Sequence, residues 1–209
     1  NPTMAHLICK RDYLPEESRF AQLDDLNWAF GAMGTQDKAK HLATMYLEDL
    51  SDLIMECVDP HFGFSRYAER LSRSANSFDE LYNALLAEHT YIDSILIAIL
   101  AAHMERLQPA MVAISVPFPG NLYAALRCGQ WIKQHYPAVK VAMGGGFPNT
   151  ELRSLADARV FQFVDFITLD DGEAPIENLV QFLEGRKTAE ELKRTFLLSD
   201  GKVTYINSK

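Results

Sequence analysis

The chain has 209 residues, 48% of them apolar, 11% aromatic and 23% charged. That length implies one domain, or one domain with a helical annex, and the composition excludes a disordered tail or a collagen-like repeat. Its 20 basic and 28 acidic side chains leave a net charge of −8, which argues against nucleic acid and anionic membrane surfaces as partners, since both attract clustered Lys and Arg. The longest apolar run, Ile95–Ala102, is far short of the roughly 20 residues a membrane span needs. Cys9, Cys57 and Cys128 lie far apart and form no Cys-x-x-Cys pair. A zinc ribbon, or an iron–sulfur cluster held by this chain alone, is therefore not expected, and reduced thiols in the cytoplasm are.

The first half reads as helical. From Asp37 to Cys57 the apolar positions Leu42, Met45, Tyr46, Leu50, Leu53, Ile54 and Cys57 keep helical spacing up to Asp59-Pro60. Ser77-Phe-Asp-Glu80 is a capping-box pattern that opens a helix to about Glu88, and Tyr91–Leu107 carries a wide apolar face stopped at Gln108-Pro109.

The period then changes. Met111–Val116 is a short, continuous apolar run, as expected of a strand buried on both faces of a parallel sheet. Pro117-Phe-Pro-Gly120 breaks it, and Asn121 is placed to cap a helix through His135. Val139–Met143 reads as a second strand, ended by Gly144-Gly145-Gly146, and a helix from about Asn149 to Ala156 leads to a third, Phe163–Leu169. Asp170-Asp-Gly-Glu173 follows, with Pro175 in the first turn of a helix that stops near Gly185. Thr188 caps a short helix, and Thr195–Leu198 with Val203–Ile206 flank Asp200-Gly201 as a β-hairpin. The alternation predicts a doubly wound, flavodoxin- or Rossmann-like, mostly parallel α/β sheet. The expected regions are helical residues 1–108, an α/β core over 109–187, and a helix-and-hairpin tail over 188–209.

In open α/β sheets ligands bind beyond the carboxyl ends of the strands. Three loops would converge there: Ser115–Asn121, Gly144–Asn149 and Asp170–Glu173. The triple glycine permits positive φ and close approach to the backbone, yet it is neither Gly-x-Gly-x-x-Gly nor a phosphate loop. Asp170-Asp171 suits a magnesium ion or a phosphoryl group, or simply the start of the next helix. Glu151 with Arg153, and Asp170 with Asp171, are the close-set charges near these loops.

In this order and spacing the three loops resemble the cobalamin-binding domain that precedes the catalytic barrel in many radical S-adenosylmethionine enzymes. Val112–Val116 with Pro117-Phe-Pro-Gly120 is similar to that family's serine-bearing loop, and Val141-Ala-Met-Gly-Gly-Gly-Phe-Pro148 to its strand ending in a double glycine. Phe163-Val-Asp-Phe-Ile-Thr-Leu-Asp-Asp-Gly-Glu173, with the apolar helix Ala174–Leu183, resembles the family's Val-Asp-…-Gly-Glu-Gly-Glu segment. The likeness runs from about Met111 to Gly185.

The resemblance implies a non-catalytic, cobalamin-binding module of an iron–sulfur oxidoreductase or methyltransferase. Ser115, Pro117, Gly120 and Asn121 would line the nucleotide-tail groove. Gly144, Gly145, Gly146 and Phe147 would admit the corrin or tail, and Asp171, Gly172 and Glu173 would border the pocket. Asp59-Pro-His61-Phe-Gly63 is one residue short of the Asp-x-His-x-x-Gly that ligates cobalt in other classes, so no cobalt ligand is expected from this chain. The family's Cys-x-x-x-Cys-x-x-Cys is absent, which assigns the iron–sulfur cluster and S-adenosylmethionine to a barrel outside it. An opening Asn-Pro-Thr and the lack of a clear first strand point to an excised internal piece, its helical half an insertion. The exposed sheet edge of such a piece invites a homodimer. Two other readings stand beside this one: a nucleotide- or flavin-binding enzyme domain, and a cofactor-free interaction domain.

Overall fold

The structure, a computed structural model, describes residues 1–10, 19–20, 30–31, 34–64 and 78–208; Ser77, the expected helix cap, lies outside them. The chain divides into two compact units, Asn1–Phe64 and Ser65–Lys209.

In the first unit, α1 (Pro2–Ile8) is capped by the Asn1 side chain, which accepts from the Thr3 amide at 3.0 Å. It packs against α2 (Thr35–Cys57). Ala39 and Leu42 of α2 are buried, while Tyr46, Leu47, Leu50 and Leu53 remain exposed. After α2, the carboxylate of Asp59 accepts from the His61 amide at 2.9 Å, so Asp59-Pro-His61 is a local turn.

The second unit contains α3 (Asp79–Leu86), α4 (Tyr91–Leu107), β1 (Met111–Ser115), α5 (Leu122–His135), β2 (Lys140–Gly144), α6 (Gly146–Glu151), β3 (Phe166–Thr168), α7 (Glu173–Leu183), β4 (Thr195–Ser199) and β5 (Lys202–Ile206). The five strands form one open sheet in sequence order. β1, β2 and β3 pair in parallel, β4 runs antiparallel to β3, and β5 antiparallel to β4. The unit is α/β, its sheet unit beginning well upstream of residue 109.

Alternation along the strands divides the core. Val112, Ile114, Val141, Met143, Ile167 and Phe196 meet α3, α4 and α5 on one face, whereas Ala142, Phe166 and Leu197 meet Leu179 and Ile176 of α7 on the other. Several elements differ from expectation. β1 is an edge strand rather than a doubly buried one: Ala113 and Ser115 are exposed, and β2 holds the buried centre with Val141, Ala142 and Met143. The third strand loses its first residues to a 3₁₀ turn, Ala158–Gln162, capped by Asp157. α6 begins at Gly146, three residues early. Asn121 sits in a 3₁₀ turn before α5 and makes no side-chain cap. The tail hairpin forms with Asp200 and Gly201 both at positive φ (50° and 74°), as a two-residue type I′ turn requires, and through β4 it belongs to the main sheet.

A buried polar network joins three helices. Thr90 and Asp93 form a reciprocal capping box at the start of α4. Asp93 also accepts from Tyr123 Oη at 2.8 Å and lies 3.1 Å from Arg127 Nη2. Arg127, 1% exposed, donates to the carbonyls of Leu85 (2.7 Å) and Ala84 (3.0 Å) in the last turn of α3, where helix geometry leaves carbonyls without partners. Burial pushes the Tyr123 hydroxyl up to about 12, with Arg127 pulling the other way, and pushes the Cys128 thiol up to about 11.

Arg127→Met should cost about 3–5 kcal/mol in urea unfolding, because it strands the Asp93 carboxylate. Combined with Asp93→Asn it should cost less than the sum of the single changes by more than ~1 kcal/mol. Tyr123 and Cys128 both have raised folded-state values, so their contributions are complete below the ordinary 10.0 and 9.0 and are lost as pH rises. Stability should fall by about 1.4 kcal/mol per pH unit per group. Cys128→Ser should remove the decline from pH 9 to 11, and Tyr123→Phe that from 10 to 12.

Candidate functional site

Parallel pairing of β1, β2 and β3 brings their carboxyl ends to one edge, and main-chain bonds lace the following loops together. The Val116 amide donates to Gly144 O at 2.7 Å, and the Phe147 amide to Val116 O at 2.9 Å. The Asp170 amide donates to the Asn149 side chain at 3.1 Å, and the Leu169 amide to Arg194 O at 2.9 Å. Ser115, Pro117, Asn121 and Gly146 are exposed at this edge, Gly120 and Gly144 half-buried, and Phe147 buried.

The triple glycine owes much to internal packing. Gly145 has φ +109°, and a Cβ on it would lie 2.9 Å from both the amide nitrogen and the carbonyl oxygen of Val116. A Cβ on Gly144 would meet Thr168 Oγ1 at 2.5 Å. These two glycines let the β1 and β2 loops and β3 close on one another, so a ligand would approach from elsewhere. The open approach is the face carrying Ala113 and Ser115, both exposed at β1. Gly144, paired with Ser115, is half-buried, while Ala142 beside Ala113 is already covered by α7 and Thr168 on β3 is buried.

The third loop is braced by arginines. Arg153 Nη2 lies 2.5 Å from both Asp170 Oδ1 and Asn149 Oδ1, and Arg194 Nη2 lies 2.9 Å from Asp171 Oδ1. Asp170 occupies the left-handed region (φ 63°). Gly172, also at positive φ, precedes α7, and exposed Glu173 is its first residue, where the helix dipole favours a carboxylate. With both aspartates engaged by guanidinium groups, the loop offers no free carboxylate pair to a cation. Among the described residues, no group of three or more His, Cys, Asp or Glu is arranged to hold a metal ion.

Arg153 and the aspartates stand out in the sequence as close-set charge, but their pairing does not. Arg194 carries no local signal at all. It reaches Asp171 because β4 pairs antiparallel with β3, bringing its first residues to the carboxyl edge. No single helix among the described residues is long and apolar enough to cross a membrane; α3 and α4 reach that length and apolarity only together, as a pair bent by 74°. No known protein family, curated protein or solved structure matches the chain.

Gly145→Ala should lower unfolding stability by about 3 kcal/mol, combining backbone strain with a backbone clash. Gly172→Ala, with φ +76° and nothing within 4 Å of its Cβ, should cost only about 1 kcal/mol. Chemical denaturation of the two variants checks the contrast.

Proposed function

We propose that the chain is a cobalamin-binding, non-catalytic module of a cytoplasmic radical S-adenosylmethionine iron–sulfur enzyme, built on a doubly wound, flavodoxin-like frame. The observation that carries this reading is the small, exposed pair Ala113 and Ser115 on β1, which leads to half-buried Gly144 at the carboxyl edge. A planar nucleotide base with its ribose and phosphate needs such a floor, because larger side chains would hold it off the sheet. The residues present fit the tail of cobalamin: Ser115 offers a hydroxyl, and Pro117, Gly120 and Asn121 form the rim. Gly144–Phe147 hold the floor's end in place, and Asp171–Glu173 border it.

When bound, cobalamin supplies a cobalt centre suited to methyl transfer or another radical reaction. This chain's share is to bind and orient the tail, and it contributes no cobalt ligand. The iron–sulfur cluster and S-adenosylmethionine belong to a catalytic barrel, the partner this module would face. Helices on both faces of the sheet support the flavodoxin-like frame, and three free cysteines support a reducing, cytoplasmic setting. The inward packing of Gly144 and Gly145 favours a second reading, a cofactor-free interaction domain that retains the fold.

Titration with hydroxocobalamin, followed by absorbance and calorimetry, tests the proposal. Micromolar binding is expected, lost in Ser115→Phe, whose exposed side chain leaves the fold intact. Binding of flavin mononucleotide or ATP in preference to the corrinoid would favour the nucleotide reading, and silence toward all three the interaction domain.

A further inference from the structure

The outer edge of β1 has an internal symmetry. At the two ends of its ladder with β2, the Lys140 amide donates to Ala110 O at 3.1 Å and the Val116 amide to Gly144 O at 2.7 Å. Hydrogen-bonding direction alternates along a strand, so the even-numbered residues from 110 to 116 face β2, and Met111, Ala113 and Ser115 turn their N–H and C=O groups outward. The strand is bounded in sequence by Pro109, beyond the bend at Ala110, and by Pro117, which have no N–H to offer. The outward donors therefore form a closed set centred on Ala113, with Met111 and Ser115 two residues away and prolines four residues away on each side.

Edge strands are ordinarily protected by charge, proline within the strand or a bulge. Met111–Ser115 contains no charged residue and no proline, and it pairs with β2 in unbroken register. Ala113 and Ser115 are small and exposed, so their side chains leave room for an arriving strand. On the opposite face, α5 turns Gly129 against the Phe163 backbone and turns Tyr123 and Arg127 toward α4. Met104 of α4 is buried in the core cluster against which Val112, Ile114 and Leu100 also pack, while Ile95 and Ile99 stay 43% and 56% exposed.

We infer that β1 is the seat of a two-fold dimer, in which a second copy of this chain adds its own β1 antiparallel, centred on Ala113. In that register Ala113 faces Ala113 of the second copy, Met111 faces Ser115, and each residue exchanges both ladder bonds with its opposite. Pro109 falls opposite Pro117, so neither copy leaves an outward amide unpaired. A self-complementary strand matches itself under a two-fold axis, and an unrelated extended peptide would have no reason to reproduce this spacing. The joined sheet would run unbroken through both copies. Dimerisation through β1 requires no cofactor.

Light scattering coupled to size exclusion on the 209-residue chain tests this at tens of micromolar. The wild type should run as a dimer. Ala113→Lys and Ala113→Asp, each placing like charges directly opposite one another, should raise the dissociation constant at least about tenfold, with circular dichroism and melting temperature near wild type. Mixing the A113K and A113D chains should restore a heterodimer, because only a register centred on residue 113 sets the two opposite charges face to face. A monomeric wild type overturns the inference, including one that captures a foreign extended peptide. So does a dimer that A113K leaves intact, or a mixture of the two variants that stays monomeric.

Discussion

The guanidinium of Arg127 is the constraint on which the sheet unit's helical layer depends. It lies on α5, yet its donors go to the terminal carbonyls of α3, and its charge meets Asp93 at the opening of α4. One side chain thus terminates one helix, anchors the start of the next and holds both against a third. The 74° bend between α3 and α4 follows from that shared anchor. A buried ion pair is weak evidence for net stability, since desolvation offsets much of the attraction. Its role here is specificity of arrangement. Asp93 Oδ1 and Arg127 Nε have no hydrogen-bond partner among the described residues.

Local patterns made much of this fold legible in the sequence. Tyr91–Leu107 and the end of the preceding long helix at Cys57 follow from apolar spacing and from the Pro that comes after each. The Asp200-Gly201 turn follows from backbone chemistry alone, because two adjacent residues at positive φ are what that dipeptide favours. Tertiary effects were not legible. A run such as Met111–Val116 has the same composition whether the strand lies at the centre or the edge of a sheet, and only the pairing partner decides. Phe163 and Val164 look like strand residues, but the preceding 3₁₀ turn, capped by Asp157, claims them first.

The candidate site shows the same division. The convergence of three loops at one edge follows from parallel strand order, and the sequence shows that order. What fills the glycines does not follow: Gly145 is required by the backbone of Val116, a residue from the preceding strand, and no local pattern distinguishes that need from room for a ligand. The arginine brace is equally non-local. Arg153 comes from the segment after α6 and Arg194 from the approach to β4, and they meet Asp170 and Asp171 only because β2, β3 and β4 are neighbours in the sheet.

The placement of Arg194 gives the hairpin influence over the carboxyl edge of the sheet. Arg194 is held there by the pairing of β4 with β3, and β4 is in turn paired along its length with β5. The last strands of the chain thus set the electrostatic character of a loop more than twenty positions upstream. With the hairpin docked, Arg194 pairs with Asp171 at 2.9 Å and lies 3.8 Å from Asp170. Removal of the chain from Arg194 onward would take away one of the two guanidinium groups facing Asp170, Asp171 and Glu173, and leave that rim more acidic. The hairpin can therefore act as a remote counter-ion carrier, making proteolytic trimming of the tail a change of charge as well as of structure.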